Sequence, residues 1–212
     1  MRRLPGGRHD GKPQRKIDLR LHEEMMAPEE QARANLYGLL ARLFYAPPDA
    51  ALLQGIAAEK MEGELAAEWD ALARAAAAAD AEAVREEYES AFIGTGKAPV
   101  TLYSTAYAIR YSTDVPLVAL RDELARLGLA RRQEVGEPED HIAALCEVMR
   151  HLVAQQKHAL EEQRGFFSRW IQPTIEPLCS AIERSDKTSF YKAVARFAKG
   201  FCTREHMAFE MH

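Results

Sequence analysis

The stretch that decides the fold runs Glu134-Val-Gly-Glu-Pro-Glu-Asp-His141 and continues as Ile-Ala-Ala-Leu-Cys-Glu-Val-Met. Pro138 suits the first position of a helix, where its missing N–H would have no partner. Glu139 and Asp140 then fall in the first turn, where the positive end of the helix dipole favours negative charge. Apolar residues follow at the three-and-four spacing of a buried helical face: Ile142, Leu145, Cys146, Met149, Leu152 and Val153. The pattern predicts a core helix with Asp140 and His141 at its exposed mouth.

Helical patterns extend from this stretch over most of the chain. The motif helix is predicted from Pro138 to about Arg164, and the last helix is predicted to be capped by Thr188 or Ser189. Alanine is frequent and runs of β-branched residues are scarce, which favours helix. At 212 residues the chain suits one well-buried domain. The predicted fold is therefore all-α, a single-domain bundle of roughly eight to ten helices. Its predicted parts are a disordered basic arm (1–26), the helical domain (27–207) and a tail (208–212).

Charge is distributed unevenly along the chain. Seven Lys or Arg against two Asp give residues 1–20 a net charge of +5, and the whole chain carries −4, so the remainder carries −9. An acidic body argues against nucleic acid as the partner, because neutralised phosphates supply most of that affinity. The same charge is compatible with a basic peptide. Arg2-Arg3 suggests a twin-arginine signal, but no apolar segment or small-residue cleavage site follows, so a basic arm is the better interpretation.

The three cysteines, Cys146, Cys179 and Cys202, are odd in number and lack Cys-x-x-Cys spacing. Each falls in an apolar helical pattern, which is typical of a small buried hydrophobic residue. We therefore expect free thiols and a cytoplasmic location. No segment approaches the roughly 18 apolar residues of a membrane span, so stable membrane insertion is not expected.

The run Glu134-x-x-x-Pro138-x-Asp140-His141 before an apolar helix resembles the motif of the TorD/DmsD family of redox-enzyme maturation chaperones. Tyr88-Glu-Ser-Ala-Phe92 is similar to the family's Tyr-x-x-Leu-Phe, with Ala91 in place of leucine. Tyr103-Ser104-Thr-Ala-Tyr107 resembles its aromatic loop, with Leu102 where proline is usual. Pro116–Arg121 matches the helix that leads to the motif. The resemblance extends in order over roughly residues 28 to 205.

This resemblance implies a chaperone, not an enzyme, that binds the twin-arginine signal peptide or apo-form of a molybdenum-containing oxidoreductase and assists cofactor loading before export. The implied groove lies between the 99–115 loop and the start of the motif helix. The expected client-binding residues are Glu134, Glu137, Pro138, Asp140, His141, Tyr103, Ser104 and Tyr107, with His141 orienting Asp140 by a hydrogen bond. No metal or cofactor is expected beyond weak guanine-nucleotide binding. The expected assembly is a monomer, or a dimer made by exchange of helices.

Other interpretations of the Asp140-His141 region remain open. One alternative is a helical acid–base or metal-dependent enzyme that uses the pair. Another is a purely structural role, because complementarity with the helix dipole alone explains acidic residues at a helix start. A third alternative is a generic helical adaptor. The stripe Glu147, His151, Gln155 and His158 has the spacing of metal ligands, but a solvated face is the more common origin of such a pattern.

Two further motifs have more than one interpretation. Tyr103, Tyr107 and Tyr111 recur every four residues, which fits either a core stripe or an aromatic peptide-binding surface. The run Gly94-Thr-Gly-Lys97 resembles a phosphate loop, but Ala91 and Ala98 occupy positions that the Walker pattern reserves for Gly and Ser or Thr. We interpret the second motif as a simple loop.

Overall fold

The computed structural model describes residues 27–94, 98–108, 116–130, 136–155 and 159–211. The predicted basic arm, residues 1–26, lies outside the described residues, as do Glu134, Tyr111, His158 and most of the Gly94–Lys97 motif. Within the described part, no helix is long and apolar enough to cross a membrane.

The described residues form ten α-helical segments and no strand beyond one isolated bridge between Tyr103 and His141. The segments are α1 (Pro28–Tyr45), α2 (Ala50–Ala58), α3 (Ala66–Ala78), α4 (Ala81–Tyr88), α5 (Thr105–Ala108), α6 (Pro116–Arg126), α7 (Ile142–Ala154), α8 (Leu160–Phe166), α9 (Gln172–Arg184) and α10 (Phe190–Glu210). A π-helical turn at Glu89–Ile93 continues α4, and another at Phe167–Ile171 joins α8 to α9. The predicted all-α fold is confirmed.

Helix α7 is shorter than predicted at both ends. It begins at Ile142 because His141 is the N-cap, with extended backbone angles (φ −62°, ψ 132°). Pro138 does not occupy the first helical position, because it lies in a turn closed by the N–H of His141 donating to its carbonyl at 3.2 Å. The helix ends at Ala154, since Gln155 is again extended. The predicted continuation to Arg164 is wrong, because α8 is a separate segment.

Helix α1 packs closely against α7, and its side chains and last carbonyls bond to residues of α10. Its last carbonyls would have no partner within the helix, and two buried tyrosines satisfy them. The hydroxyl of Tyr88 donates to the carbonyls of Phe44 (3.0 Å) and Tyr45 (2.9 Å), and the hydroxyl of Tyr191 donates to that of Leu43 (2.9 Å). These bonds fix the C-terminal end of α1 against α4 and α10.

The start of α10 is capped from another helix. The carboxylate of Glu87 accepts hydrogen bonds from the N–H groups of Ser189, Phe190 and Tyr191 at 2.8 to 3.0 Å. Ser189 holds the N-cap position, but its side chain makes no capping bond. The predicted N-cap position at Ser189 is confirmed, but the capping bonds are supplied by Glu87, which lies about one hundred residues earlier in the sequence. The helix also includes residues 208–210 of the segment predicted as a tail.

Candidate functional site

The turn before α7 is clamped by the loop that contains Tyr103 and Ser104. The N–H of Ser104 donates to the carbonyl of Asp140 at 2.9 Å, and the N–H of Ile142 donates to the carbonyl of Leu102 at 2.8 Å. These two bonds form the isolated bridge between Tyr103 and His141. The aromatic loop and the Asp-His motif, which lie some 35 residues apart in the sequence, thus form one structural unit.

Asp140 is held by this loop and is only 4% exposed. Its carboxylate accepts hydrogen bonds from the hydroxyl of Thr105 at 2.6 Å and from the N–H of Thr105 at 3.4 Å. The prediction that Asp140 stands at an exposed helix mouth is wrong, because the loop covers it. Its carboxylate ties the loop to the motif turn.

His141 is also buried, at 5% exposure, so its predicted exposure is wrong as well. Its Nδ1 accepts a hydrogen bond from the N–H of Ala143 at 3.2 Å, which makes it the cap of α7. Burial lowers the pKa of His141, against the opposing charges of Glu137 and Asp140. A neutral ring with an accepting Nδ1 carries its proton on Nε2. The partner that orients Asp140 is therefore Thr105, and Nδ1 of His141 is engaged by the helix backbone instead.

Tyr103 and Glu137 are joined by a short hydrogen bond from the phenol to the carboxylate. This bond, with burial adding to it, raises the pKa of Tyr103 to about 12. The ring of Tyr103 also makes an edge-to-face contact with the ring of His141, with centroids 5.3 Å apart. Tyr103 therefore covers one side of the motif, where it contacts both Glu137 and His141.

The other two predicted loop residues face inward. The hydroxyl of Tyr107 donates to the carbonyl of Thr101 at 2.8 Å, and its ring packs against the core. Ser104 is fully buried, and its hydroxyl has no hydrogen-bond partner among the described residues. In the described part of the loop, the aromatic side chains thus serve mainly in packing.

The main concavity at the motif is a groove between α1 and α7 with a volume of about 1070 Å³. Small and apolar side chains line its interior, namely Ala34, Gly38, Ala41, Ala143, Ala144 and Val148, and Leu124, Leu129 and Ala130 line a further wall. Three carboxylates, Glu137, Glu139 and Glu147, line it together with Arg42, Arg150 and His151. We name this concavity the α1–α7 groove.

Of the predicted site residues, Glu137, Pro138 and His141 line the α1–α7 groove, whereas Tyr103, Ser104, Tyr107 and Asp140 do not. The motif thus has two sides, one covered by the aromatic loop and one open to the groove. Sequence reasoning missed the contribution of α1. A signal for it exists in the small residues Ala34, Gly38 and Ala41, which recur at the spacing of one helical face.

Exposed arginines already engage two carboxylates of the groove. Arg121 of α6 bonds to Glu139 at 3.1 Å, and the side chain of this glutamate is only 11% exposed. Arg150 bonds to Glu147 at 2.9 Å, with both side chains about half-exposed. The stem of Arg150 lies on Gly38, where a Cβ would come within 2.9 Å of its Cδ. The glycine lets this arginine lie flat in the groove.

The described residues include no group of three or more His, Cys, Asp or Glu side chains that could hold a metal ion. His151 of the predicted polar stripe lines the groove, and Glu147 pairs with Arg150. All three cysteines are free and buried. Burial is the main reason that the pKa of the Cys179 thiol rises to about 12, which disfavours the reactive thiolate.

Comparison with known proteins identifies the relatives of this chain. The model of the family described as nitrate reductase delta subunit matches residues 58–180. The Tat proofreading chaperone DmsD of Haemophilus influenzae is 32% identical over 117 residues, which are 53% of this chain and 55% of that protein. The chaperone protein TorD of Photobacterium profundum is 25% identical over 122 residues, which are 52% of this chain and 56% of that protein.

The matches to these curated relatives span about half of their length. Among solved structures, a proposed redox enzyme maturation protein from Archaeoglobus fulgidus superposes with a TM-score of 0.51 at 21% identity. That match covers 90% of this chain and 99% of the other. At this level of identity, the superposition shows a shared fold.

Proposed function

Because the chain belongs to the family described as nitrate reductase delta subunit, which confirms the TorD/DmsD resemblance, we propose that it is a cytoplasmic chaperone for a molybdenum-containing oxidoreductase. It binds the twin-arginine signal peptide of the precursor and holds the apo-form until the cofactor is loaded. Relatives named as chaperones support this assignment. The proposed mechanism is reversible binding, and it uses no catalytic residue and no cofactor of the chaperone itself.

The observation that carries this proposal is the opening of the motif residues Glu137, Pro138 and His141 into the α1–α7 groove. Between Gln31 and Tyr45 the groove follows α1 for about 21 Å, at roughly 1.5 Å per helical residue. An apolar peptide segment would lie on the small side chains of the groove interior, where its surface leaves water. The peptide arginines would bond to the groove carboxylates.

Arginine suits these carboxylates because its planar group makes two parallel bonds to a carboxylate, which lysine does not. Glu139 and Glu147 each already accept a guanidinium hydrogen bond, from Arg121 and Arg150 respectively. A client arginine would replace one guanidinium by another, so the net gain in free energy is small. Moderate affinity follows, and it suits a chaperone that must release its client.

Asp140 and His141 are positioning residues in this proposal. Asp140 ties the aromatic loop to the motif turn through Thr105, and His141 caps α7 through Ala143. Together they hold Glu137 at the groove, and Tyr103 orients its carboxylate. We therefore assign direct client contact to Glu137, Pro138 and the other groove-lining residues, and an indirect role to Asp140, His141, Tyr103, Ser104 and Tyr107.

Isothermal titration of a peptide with an arginine pair before an apolar segment tests the proposal, with a lysine-pair peptide for comparison. We expect the arginine peptide to bind at least several-fold more tightly. Val148→Lys places a cation inside the groove and should weaken binding about tenfold or more. Val118→Lys is the matched control, because Val118 is 50% exposed and lies outside the groove.

Circular dichroism would show that both variants retain their helices. Equal affinity of Val148→Lys, Val118→Lys and the unmodified chain would place the binding site elsewhere. The absence of any arginine-dependent heat would contradict the function itself.

A further inference from the structure

We propose that the chain's own basic N-terminal segment, residues 1–20, occupies the α1–α7 groove when no client is bound and competes with the client for it. The occupant is thus an internal mimic of the peptide. The regulatory consequence rests on the function proposed above, whereas the placement of the segment can be tested without any client.

The position of α1 brings this segment to the groove. The described chain starts at Ala27, and α1 begins one residue later. Gln31, in the first turn of α1, already lines the groove. The N-terminal segment therefore joins the body of the protein at the edge of the concavity.

The other end of α1 reaches the motif. Tyr88, whose hydroxyl bonds to the carbonyl of Tyr45, has a pKa that is raised by burial and then by the charge of Glu137. Tyr45 and Glu137 both line the groove, so they mark its motif end. An extended chain covers about 3.3 Å per residue, so about seven residues span the 21 Å from Gln31 to Tyr45. The 26 residues before Ala27 are ample for this path.

Charge complements this geometry. Residues 1–20 carry a net charge of +5 and the remainder of the chain carries −9. Within the groove, Glu137, Glu139 and Glu147 are the acidic groups, and half-exposed arginines of α6 and α7 bond to the last two. The segment contains the adjacent pair Arg2-Arg3, followed by Leu4. It therefore offers the guanidinium chemistry that we propose for the client.

Covalent connection makes even a weak contact effective. A segment that is covalently tethered near its binding site acts at an effective concentration of about 1 mM. If the free segment bound the groove with a dissociation constant near 0.1 mM, the connected segment would weaken client binding by about tenfold. Competition of this size would favour clients that make more contacts than the segment does.

Photo-cross-linking in the full chain tests the placement directly. The three native cysteines are buried, so a cysteine introduced by Gly7→Cys can be labelled selectively with a benzophenone maleimide. We expect intramolecular cross-links on groove-lining residues, identified by mass spectrometry, that disappear at high salt. The matched control carries the same label together with Arg2→Glu, Arg3→Glu and Arg8→Glu. Cross-links spread over the surface alike in both proteins would overturn the inference.

Deletion of residues 1–20 tests the competition. We expect the dissociation constant of the arginine peptide to fall about tenfold, and the charge-reversed segment to have a similar effect at full length. Equal affinity of full-length and truncated chains would show that the segment does not compete. If neither form binds the peptide, the proposed function fails, and the cross-linking result alone then supports or overturns the placement.

Discussion

The two faces of helix α1 differ in how they are packed. Toward α10, Arg33 and Tyr37 meet Glu205, and the rings of Tyr37 and Phe201 stack edge to face with centroids 4.8 Å apart. Toward α7, the small side chains of α1 let the two helices pack closely, and they line the α1–α7 groove. The α10 side is closed by a polar network beside aromatic rings, whereas the α7 side borders a groove lined by small residues and by charged side chains. We therefore assign a role in stability to the side of α1 that faces α10, and a role in binding to the side that faces α7.

The closed face is organised around one carboxylate. Glu205 is 5% exposed, and it accepts two bonds of 2.8 Å from Arg33 and one of 2.9 Å from the hydroxyl of Tyr37. A buried charge that keeps all of its partners is tolerated, but removal of one partner leaves the other uncompensated. Substitutions on this face should therefore act on the free energy of unfolding.

The largest expected effect is that of Glu205→Ala. Loss of this carboxylate leaves the buried hydroxyl of Tyr37 without its acceptor and leaves Arg33 with Glu30 as its remaining carboxylate. The expected cost is about 3 kcal/mol in the free energy of unfolding. Urea denaturation measures this change. The control is Glu210→Ala, which removes an exposed pair with Arg164 at 3.9 Å and should cost less than about 1 kcal/mol. Similar losses in the two variants would contradict the assigned role of the closed face.

Glu87→Ala should cost about 1.5 kcal/mol, since charge-assisted caps of helix N-termini contribute in this range. Three N–H groups at the start of α10 lose their acceptor. Glu86→Ala, at an exposed position on the same helix, is the matched control. Thermal unfolding of the two variants, followed by circular dichroism, compares them. A cap that contributes nothing would give them the same melting temperature.

His141 caps α7 and lines the α1–α7 groove, and its variants separate capping from titration. His141→Ala removes the acceptor for the N–H of Ala143 and should cost about 1 kcal/mol. His141→Asn should recover most of this loss, because asparagine is a good N-cap. Equal stability of the alanine and asparagine variants in urea would show that capping is not what His141 supplies.

Titration of His141 should make the folded state less stable in acid. Its folded-state pKa lies below the ordinary value of about 6.5. As pH falls below the ordinary value of about 6.5, the unfolded chain binds a proton that the folded chain does not. The free energy of unfolding therefore declines until pH has passed below the folded-state pKa. Above pH 7 the contribution is constant. Urea denaturation between pH 7.5 and 5 should show a steeper decline for the unmodified chain than for His141→Asn, and parallel curves would exclude His141 as the cause.

Glu147→Gln is expected to have the smallest effect on stability, within about 0.5 kcal/mol, because its pair with Arg150 is half-exposed. If the groove binds arginine, the same change should weaken the arginine peptide several-fold. Glu183→Gln disrupts a comparable surface pair with Arg196, at 3.0 Å and away from the groove, and serves as the control for binding. A loss of stability without a loss of affinity in Glu147→Gln would reverse the assignment of the two faces.

Much of the fold was predictable because helix periodicity is a local property. The residues Ile142, Leu145, Cys146 and Met149 are all buried, as their spacing predicts. The helix start was predicted four residues too early, since Pro138 and the acidic residues also suit a turn that precedes a cap. The choice between helix and turn depended on the bond from Ala143 to His141 and on the loop packed beside it.

The sequence by itself determined the helical content, the buried face of α7 and the family motif, because each depends on residues a few positions apart. Only the tertiary structure decided which side of that motif is open. Thr105 reaches Asp140 across 35 residues of sequence, and Glu87 reaches the start of α10 across 102. No periodic pattern encodes such contacts. They covered Asp140, left Glu137 at the α1–α7 groove, and so separated the residues that hold the motif in place from those that can meet a partner.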